Sequence, residues 1–426
     1  MHHIVRAWAL APVAFLASCA SAADAPSNPP ARADLSPDAA PSVSSPVFHK
    51  PVHASLGPSR VASRPRPVVS HDALAWTASG DLALIDGKTG AVRSSAAAAR
   101  LGGARDVVHD PWASRALVFE ADADDARGEI ASYPILHGPR GPALGARVHE
   151  AWVDGDARIL ASPLGVVVFE QRRGARVKVL FGADTSASAA MPLPASAWIR
   201  ADGPSFSLHT LAYGEGGALE RRAVDVRWAS VAPPVVAPID AVAAVDPPTT
   251  RLLPIPARGD ALLFDVQGDA IAVRRVDDAA VGPAALLPLG APGMRIEHAV
   301  ALDGGETAVL LASAPSRVIA VAVGEAGAPT GADSVTLPGA VRVEAGFFSH
   351  DLAALGDHRV LAATSAGLIA LDVARDALGK GVRLTPAPAF AGSGLRGPIA
   401  AIAGAADLAT AAPATPLASP LGSRAP

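Results

Sequence analysis

A histidine beside an acid is the most repeated chemical pair in this chain. It occurs at His71-Asp72, His109-Asp110 and His350-Asp351, with His149-Glu150 as a near variant. Imidazole titrates near neutral pH and binds metals or anions, and a neighbouring carboxylate can orient the ring. His109, His298 and His350 fall in segments that read as the first strand of a recurring β unit. If those strands surround a common axis, the three imidazoles are candidate ligand-binding groups. The plainer reading, which we favour, puts each His-Asp pair at a strand end. Asp then sits in the turn, His is half-exposed, and the pairs recur because the strands recur. A second candidate is the acidic run Glu120-Ala-Asp122-Ala-Asp124-Asp125-Ala-Arg-Gly128-Glu129. Calcium wants several oxygen ligands and a Gly for a tight turn, so Asp122, Asp124, Asp125 and Glu129 are its candidate ligands. The spacing does not complete an EF-hand loop, and a solvated hairpin turn needs no ion. No cofactor is expected. The chain has no Gly-x-Ser-x-Gly elbow, no His-Glu-x-x-His and no P-loop. Trp76, Trp112, Trp152, Trp198 and Trp228 lie near predicted strands and are assigned to core packing.

The single cysteine carries a different kind of chemistry. Cys19 closes Leu16-Ala17-Ser18-Cys19, after a short basic start (Met1 to Arg6) and an apolar run from Ala7 to Leu16. That order is an export signal. Its ending resembles the lipobox of bacterial lipoproteins. The resemblance implies a signal peptide over residues 1–18, a diacylglycerol-modified Cys19 and attachment to a membrane through that lipid. Ala20 follows the cysteine, not Asp, which by analogy with lipoprotein sorting implies the outer membrane of a Gram-negative cell envelope. The apolar run is too short to span a bilayer, which takes about 20 residues.

Composition narrows the alternatives. The 36 basic and 40 acidic residues give a net charge of −4, and cleavage before Cys19 removes Arg6, leaving 35 − 40 = −5. The four lysines (Lys50, Lys88, Lys178, Lys380) are scattered, and no dense Lys/Arg cluster offers a nucleic-acid footprint. One thiol cannot make an internal disulfide or a multi-cysteine metal site. Stability must come from buried apolar surface and closed sheet edges.

The elements that would position these residues are short strands. Residues 19–70 hold ten prolines among Ser and Ala and are expected to be a disordered tether, and residues 409–426 a disordered tail. Between them, residues 71–408 repeat one unit. In its clearest copy, ALAWTA, DLALID and AVRSS are strands separated by Ser79-Gly80 and Gly87-Lys88-Thr89-Gly90 turns. Alternation marks DLALID as half-buried, with Leu82 and Leu84 opposite Ala83 and Ile85. The unit recurs from Arg115, Arg158, Phe206, Arg251, Thr307 and His358, a spacing of about 40 to 55 residues that suits four-stranded propeller blades. A fourth strand precedes most triplets: RDVVHD, AWVDGD, IDAVAAVD and RIEHAVALDGG. The first triplet lacks one, and the last is followed by a spare strand, GPIAAIAGAADL. Pairing Pro398–Ile402 with Leu74–Thr77 closes a ring of seven blades. The expected fold is therefore all-β, a seven-bladed β-propeller of four-stranded antiparallel blades, with the first blade completed by a C-terminal strand. Two β-sandwiches are the alternative.

The segment GDLALIDGKTGAV (Gly80 to Val92) resembles the repeat of bacterial seven-bladed propellers of the YVTN-repeat, lactonase-like and quinoprotein-like groups. LIALDVARDALGKGV (Leu368 to Val382) keeps the strand and Asp372 but not the Thr-Gly turn. The resemblance implies a fold and leaves the activity open. The expected role is a lipid-anchored, non-enzymatic binding or assembly scaffold, with a monomeric propeller engaging a protein or small ligand. The alternative is a propeller hydrolase or lactonase with a channel-centred site.

Overall fold

The computed structural model describes residues 72–411, except 78–79, 98–102, 123–126, 173, 183, 203, 215–217, 240–249, 278–279, 325–326, 342–350, 357, 388–394, 396–398 and 405–409. The signal, Cys19, the tether, His71, Asp124, Asp125 and His350 lie outside the described residues.

The described chain forms seven β-sheets arranged as successive blades. Blade 1 holds β1 (Ala73–Thr77), β2 (Asp81–Ile85) and β3 (Val92–Ala97). Blade 2 holds β4 (Gly103–Asp110), β5 (Arg115–Ala121), β6 (Gly128–Gly138), β7 (Gly141–Leu144) and β8 (Val148–Val153), the last two both pairing with β6. Blade 3 is β9 (Arg158–Ser162), β10 (Gly165–Glu170), β11 (Arg176–Gly182) and β12 (Thr185–Ala190). Blade 4 is β13 (Ser196–Asp202), β14 (Ser205–Tyr213), β15 (Leu219–Arg227), β16 (Ser230–Val231) and β17 (Val235–Ile239). Blade 5 is β18 (Thr250–Ile255), β19 (Asp260–Gln267), β20 (Ala270–Val276) and β21 (Ala285–Leu287). Blade 6 is β22 (Arg295–Leu302), β23 (Thr307–Ser313), β24 (Arg317–Val323) and β25 (Pro329–Thr336). Blade 7 is β26 (Leu352–Ala354), β27 (Arg359–Thr364), β28 (Gly367–Arg375) and β29 (Val382–Pro386).

Ring closure follows the expected route. β30 (Ile399–Gly404) completes blade 1 by antiparallel pairing with β1, Ala75 opposite Ile402 and Trp76 opposite Ala401. β31 (Thr410–Ala411) then runs parallel to Ile199 and Arg200 on the free edge of β13. Thr410 and Ala411 thus pair beyond the expected limit at Leu408.

Two expectations about strands need correction. AWVDGD does not open blade 3: its β8 segment is an outer strand of blade 2, and Arg158–Ser162 is itself the innermost strand. Likewise Thr250–Ile255 is the innermost strand of blade 5, while IDAVAAVD contributes Ile239 to β17 and otherwise lies outside the described residues. The reason lies in the outermost strands. VRSSAA and TSASAA alternate between partial burial and exposure and carry few large apolar side chains, so their strand signal is weak. The second correction concerns DLALID, which is buried on both faces. Leu82 and Leu84 pack toward blade 2, Ala83 and Ile85 toward blade 7. Each seam between neighbouring blades holds its own apolar cluster, and a central strand is covered from both sides.

One glycine is required by close approach. Gly165 opens β10 at φ +149°, and a Cβ there would lie 1.9 Å from the Leu180 carbonyl oxygen. Gly165→Ala is expected to cost about 2 kcal/mol or more, read as a lower urea midpoint with an unchanged slope. A wild-type midpoint would show that β11 yields freely.

Candidate functional site

His109 lies in β4, an innermost strand as expected, but it faces the seam with blade 1. Alternation explains this: Val107, two residues earlier, packs against blade 1, while Val108 packs against blade 3. His109 is 5% exposed and lines a cavity of about 10 Å³ with Asp72, Leu84, Ser114, Ile135 and His137. That space holds one water at most. Burial pulls the His109 pKa down to about 4, and the charge of Asp72 pulls it only partly back. Its Nδ1 has no hydrogen-bond partner among the described residues. Around the cavity, Arg93 bridges Asp72 (2.9 Å) and Asp86 (2.7 Å), and Ser114 Oγ lies 3.1 Å from His137 Nε2.

Asp110, the partner of His109 in sequence, points elsewhere. Its Oδ1 accepts the backbone N–H groups of Trp112 and Ala113, and its Oδ2 accepts from Arg115 Nε at 2.8 Å. It caps the turn after β4, as the plainer reading of the His-Asp pairs has it, but His109 is buried where that reading has it half-exposed. Burial raises its pKa despite Arg115 and these N–H donors.

His298 lies in β22 of blade 6, so it and His109 belong to blades that are not neighbours. A bulge between Ile296 and His298 leaves Glu297 unpaired in the ladder. Glu297 is buried and accepts from Ser313 Oγ at 2.5 Å. Arg251, from blade 5, donates to the Ile296 carbonyl at 3.3 Å. Burial depresses the Arg251 pKa, and Glu297 opposes that shift.

The acidic run is divided between separate tasks. Asp122 closes the β5–β6 hairpin by accepting the Arg127 N–H. Glu129 is buried and held by Arg147 Nη1 and His149 Nδ1, both at 2.9 Å, and these contacts outweigh desolvation to lower its pKa. Arg147 also lies 3.6 Å from Glu120, which pairs opposite Glu129 in the ladder. A protein cation therefore occupies the space between these two carboxylates.

The tryptophans split. Trp76 and Trp198 are buried as expected, but Trp152 and Trp228 are 43% and 62% exposed. Trp152 lies on the outer strand β8 and Trp228 in the turn between β15 and β16, so neither belongs to an apolar cluster of a blade seam. His209, which sequence reasoning missed, stacks on Trp198 with centroids 5.5 Å apart and planes 16° apart. Burial, then Arg221 and Arg200, bring its pKa down to about 4.

The larger hollow lies between blades 2 and 3. It measures about 270 Å³ and is lined by Arg127, Trp152, Asp154, Glu170, Arg176 and Lys178, together with Val153. The Arg127 guanidinium carbon sits 3.5 Å from the centroid of the Trp152 ring. Arg176 Nε pairs with Glu170 at 2.5 Å. Sequence did carry a signal here, because alternation in RVKVLF puts Arg176 and Lys178 on one face of β11.

No family model matches the chain, and no curated protein matches it. Among solved structures, it is similar to a functionally unknown protein from Desulfotomaculum acetoxidans (12% identity, TM-score 0.48, covering 78% of this chain and 98% of that one). It is also similar to apo AztD from Citrobacter koseri (11% identity, TM-score 0.47, covering 78% and 96%). A third is a putative 6-phosphogluconolactonase from Bacteroides fragilis (10% identity, TM-score 0.46, covering 79% and 99%). The seven-bladed fold of this chain rests on its own strand pairing.

Proposed function

We propose that this chain is a lipid-anchored envelope protein whose propeller is a non-enzymatic binding or assembly scaffold. The observation that carries the reading is the dispersal of its perturbed titratable groups. Among the described residues, Asp86 belongs to blade 1, His109, Asp110, Glu129 and Arg147 to blade 2, His209 and Arg221 to blade 4, and Arg251 and Asp260 to blade 5; Glu129 and Arg147 satisfy one another as an ion pair, and burial is the largest cause at His109, Asp110, His209, Arg221, Arg251 and Asp260. Nucleophilic or acid–base catalysis needs such groups within hydrogen-bond reach of one another in one pocket. Anchoring follows from the lipobox-like Leu-Ala-Ser-Cys19, and Ala20 supports the outer membrane as its destination. The propeller acts as a monomer in this reading, because ring closure leaves it no need of a second chain to cover its innermost edges.

Two measurements test it. Labelled fatty acid should enter the wild-type chain and not Cys19→Ser, which should move from the membrane to the soluble fraction. Unchanged fractionation and labelling would overturn the anchor. The purified full-length Cys19→Ser chain, offered a panel of sugar lactones, should hydrolyse them no faster than buffer. Turnover well above buffer would overturn the scaffold reading in favour of a propeller lactonase.

A further inference from the structure

The hollow between blades 2 and 3 combines three features that a purely structural seam does not need. First, Trp152 keeps 43% of its surface exposed on the outer strand β8. Second, Lys178 is half-buried with no ion pair or hydrogen bond among the described residues, in a chain with only four lysines. An ammonium group that lines a hollow without a partner of its own among the described residues is available to pair with a bound anion. Third, buried Asp154 and Glu170 line the same hollow and present carboxylate oxygens, which accept hydrogen bonds from hydroxyl groups.

The charges decide the class of ligand. Arg127, Arg176 and Lys178 against Asp154 and Glu170 give 3 − 2 = +1. A monoanion neutralises that balance, whereas a phosphate dianion would meet the two carboxylates with excess charge. At about 270 Å³ the hollow is just under the usual range for ligand pockets, roughly 300–1,000 Å³, so the ligand is a single ring and not a chain. An aromatic plane, hydroxyl acceptors and an unpaired ammonium together match a ring bearing both hydroxyls and a carboxylate.

We propose that this hollow binds a monomeric acidic sugar of the uronic-acid kind. Lys178 and Arg127 take its carboxylate, the part of Trp152 that Arg127 leaves exposed meets the ring, and Glu170, which Arg176 already engages, and Asp154 accept its hydroxyls. The proposal rests on the reading of the propeller as a binding domain and gives that domain a ligand class.

Calorimetry on the full-length Cys19→Ser chain tests it with glucuronate, glucose and benzoate as probes. Glucuronate should bind about tenfold or more tightly than glucose or benzoate, a difference of about 1.4 kcal/mol or more. Lys178→Met should lose about tenfold in glucuronate affinity while melting at the wild-type temperature, because that side chain makes no other polar contact among the described residues. Trp152→Ala, a second surface variant, should weaken glucuronate and glucose alike. Benzoate binding as tightly as glucuronate would overturn the sugar assignment. Failure of glucuronate to bind at about 10 mM, or equal affinity in wild type and Lys178→Met, would overturn the site. Neither result bears on the lactone assay, so failure here is distinguishable from failure of the scaffold reading.

Discussion

A chain ending at Leu395 should melt about 5 to 10 °C below wild type, whereas one ending at Ala411 should melt within about 1 °C of it. The first truncation removes β30, the strand that joins the two ends of the ring. Ile399 and Ile402 are buried in the seam between blades 7 and 1, and Ala403 is buried in the seam between blades 1 and 2. Two buried isoleucines are worth about 1.5–3 kcal/mol each. Unfolding entropy near 2.1 cal/mol/K per residue, over a propeller of roughly 340 residues, converts 1 kcal/mol into about 1.4 °C. Loss of the β1–β30 ladder also opens backbone groups on β1 that pair in the native sheet. The ring does not fall apart outright, because Arg359 of blade 7 still donates to the Gly87 and Lys88 carbonyls of blade 1, at 2.9 and 3.1 Å. Equal melting temperatures for the two truncations would mean that closure contributes nothing to stability.

That pairing was legible because strand arithmetic is a global property. A unit short of a strand at one end and a spare strand at the other leave one solution. Local phase was harder to read, as AWVDGD shows. Its alternation is that of a strand, but nothing local says whether it ends blade 2 or begins blade 3, because small residues in TSASAA hide the true outer strand of blade 3. The double burial of DLALID was hidden for a related reason. Alternation reports that two faces differ, Leu on one and Ala or Ile on the other, and not that water reaches either. The site was the least legible part. His109 was located on the right strand, but its direction depended on which neighbouring blade met that face. The hollow around Trp152 brings together Arg127, Lys178 and Glu170, which belong to two blades, and no sequence motif spans them. His209 gave no signal at all, since its position is set by the β13–β14 register that stacks it on Trp198.

The buried histidines make stability fall on mild acidification. His109 has a pKa of about 4 in the folded chain against an ordinary value of 6.5, because its cavity excludes the water that would solvate an imidazolium. A histidine with a depressed folded pKa is neutral in the native state and takes up a proton more readily when unfolded. Its contribution is therefore complete above pH 6.5 and is lost progressively as pH falls from 6.5 toward 4. The difference between those two values corresponds to about 3 kcal/mol by pH 4. His209 has the same sign and window. Asp110 and Asp260 have the opposite sign, because a raised pKa favours the protonated folded form, and their window opens upward from the ordinary value of 3.8. Asp86 and Glu129, with lowered pKa values, lose their contributions only below that range. The histidine signal is therefore read between pH 6.5 and 5 as the difference between wild type and a chain that lacks the imidazole. Urea midpoints should fall steeply across that interval in wild type and less steeply in His109→Gln, which keeps a polar side chain but has no titration. The neighbouring groups Asp72, Arg93, Ser114 and His137 remain in place in the variant, so the difference between the two slopes isolates the imidazole. Parallel slopes for the two chains would show that water reaches His109 and that the seam between blades 1 and 2 opens in solution.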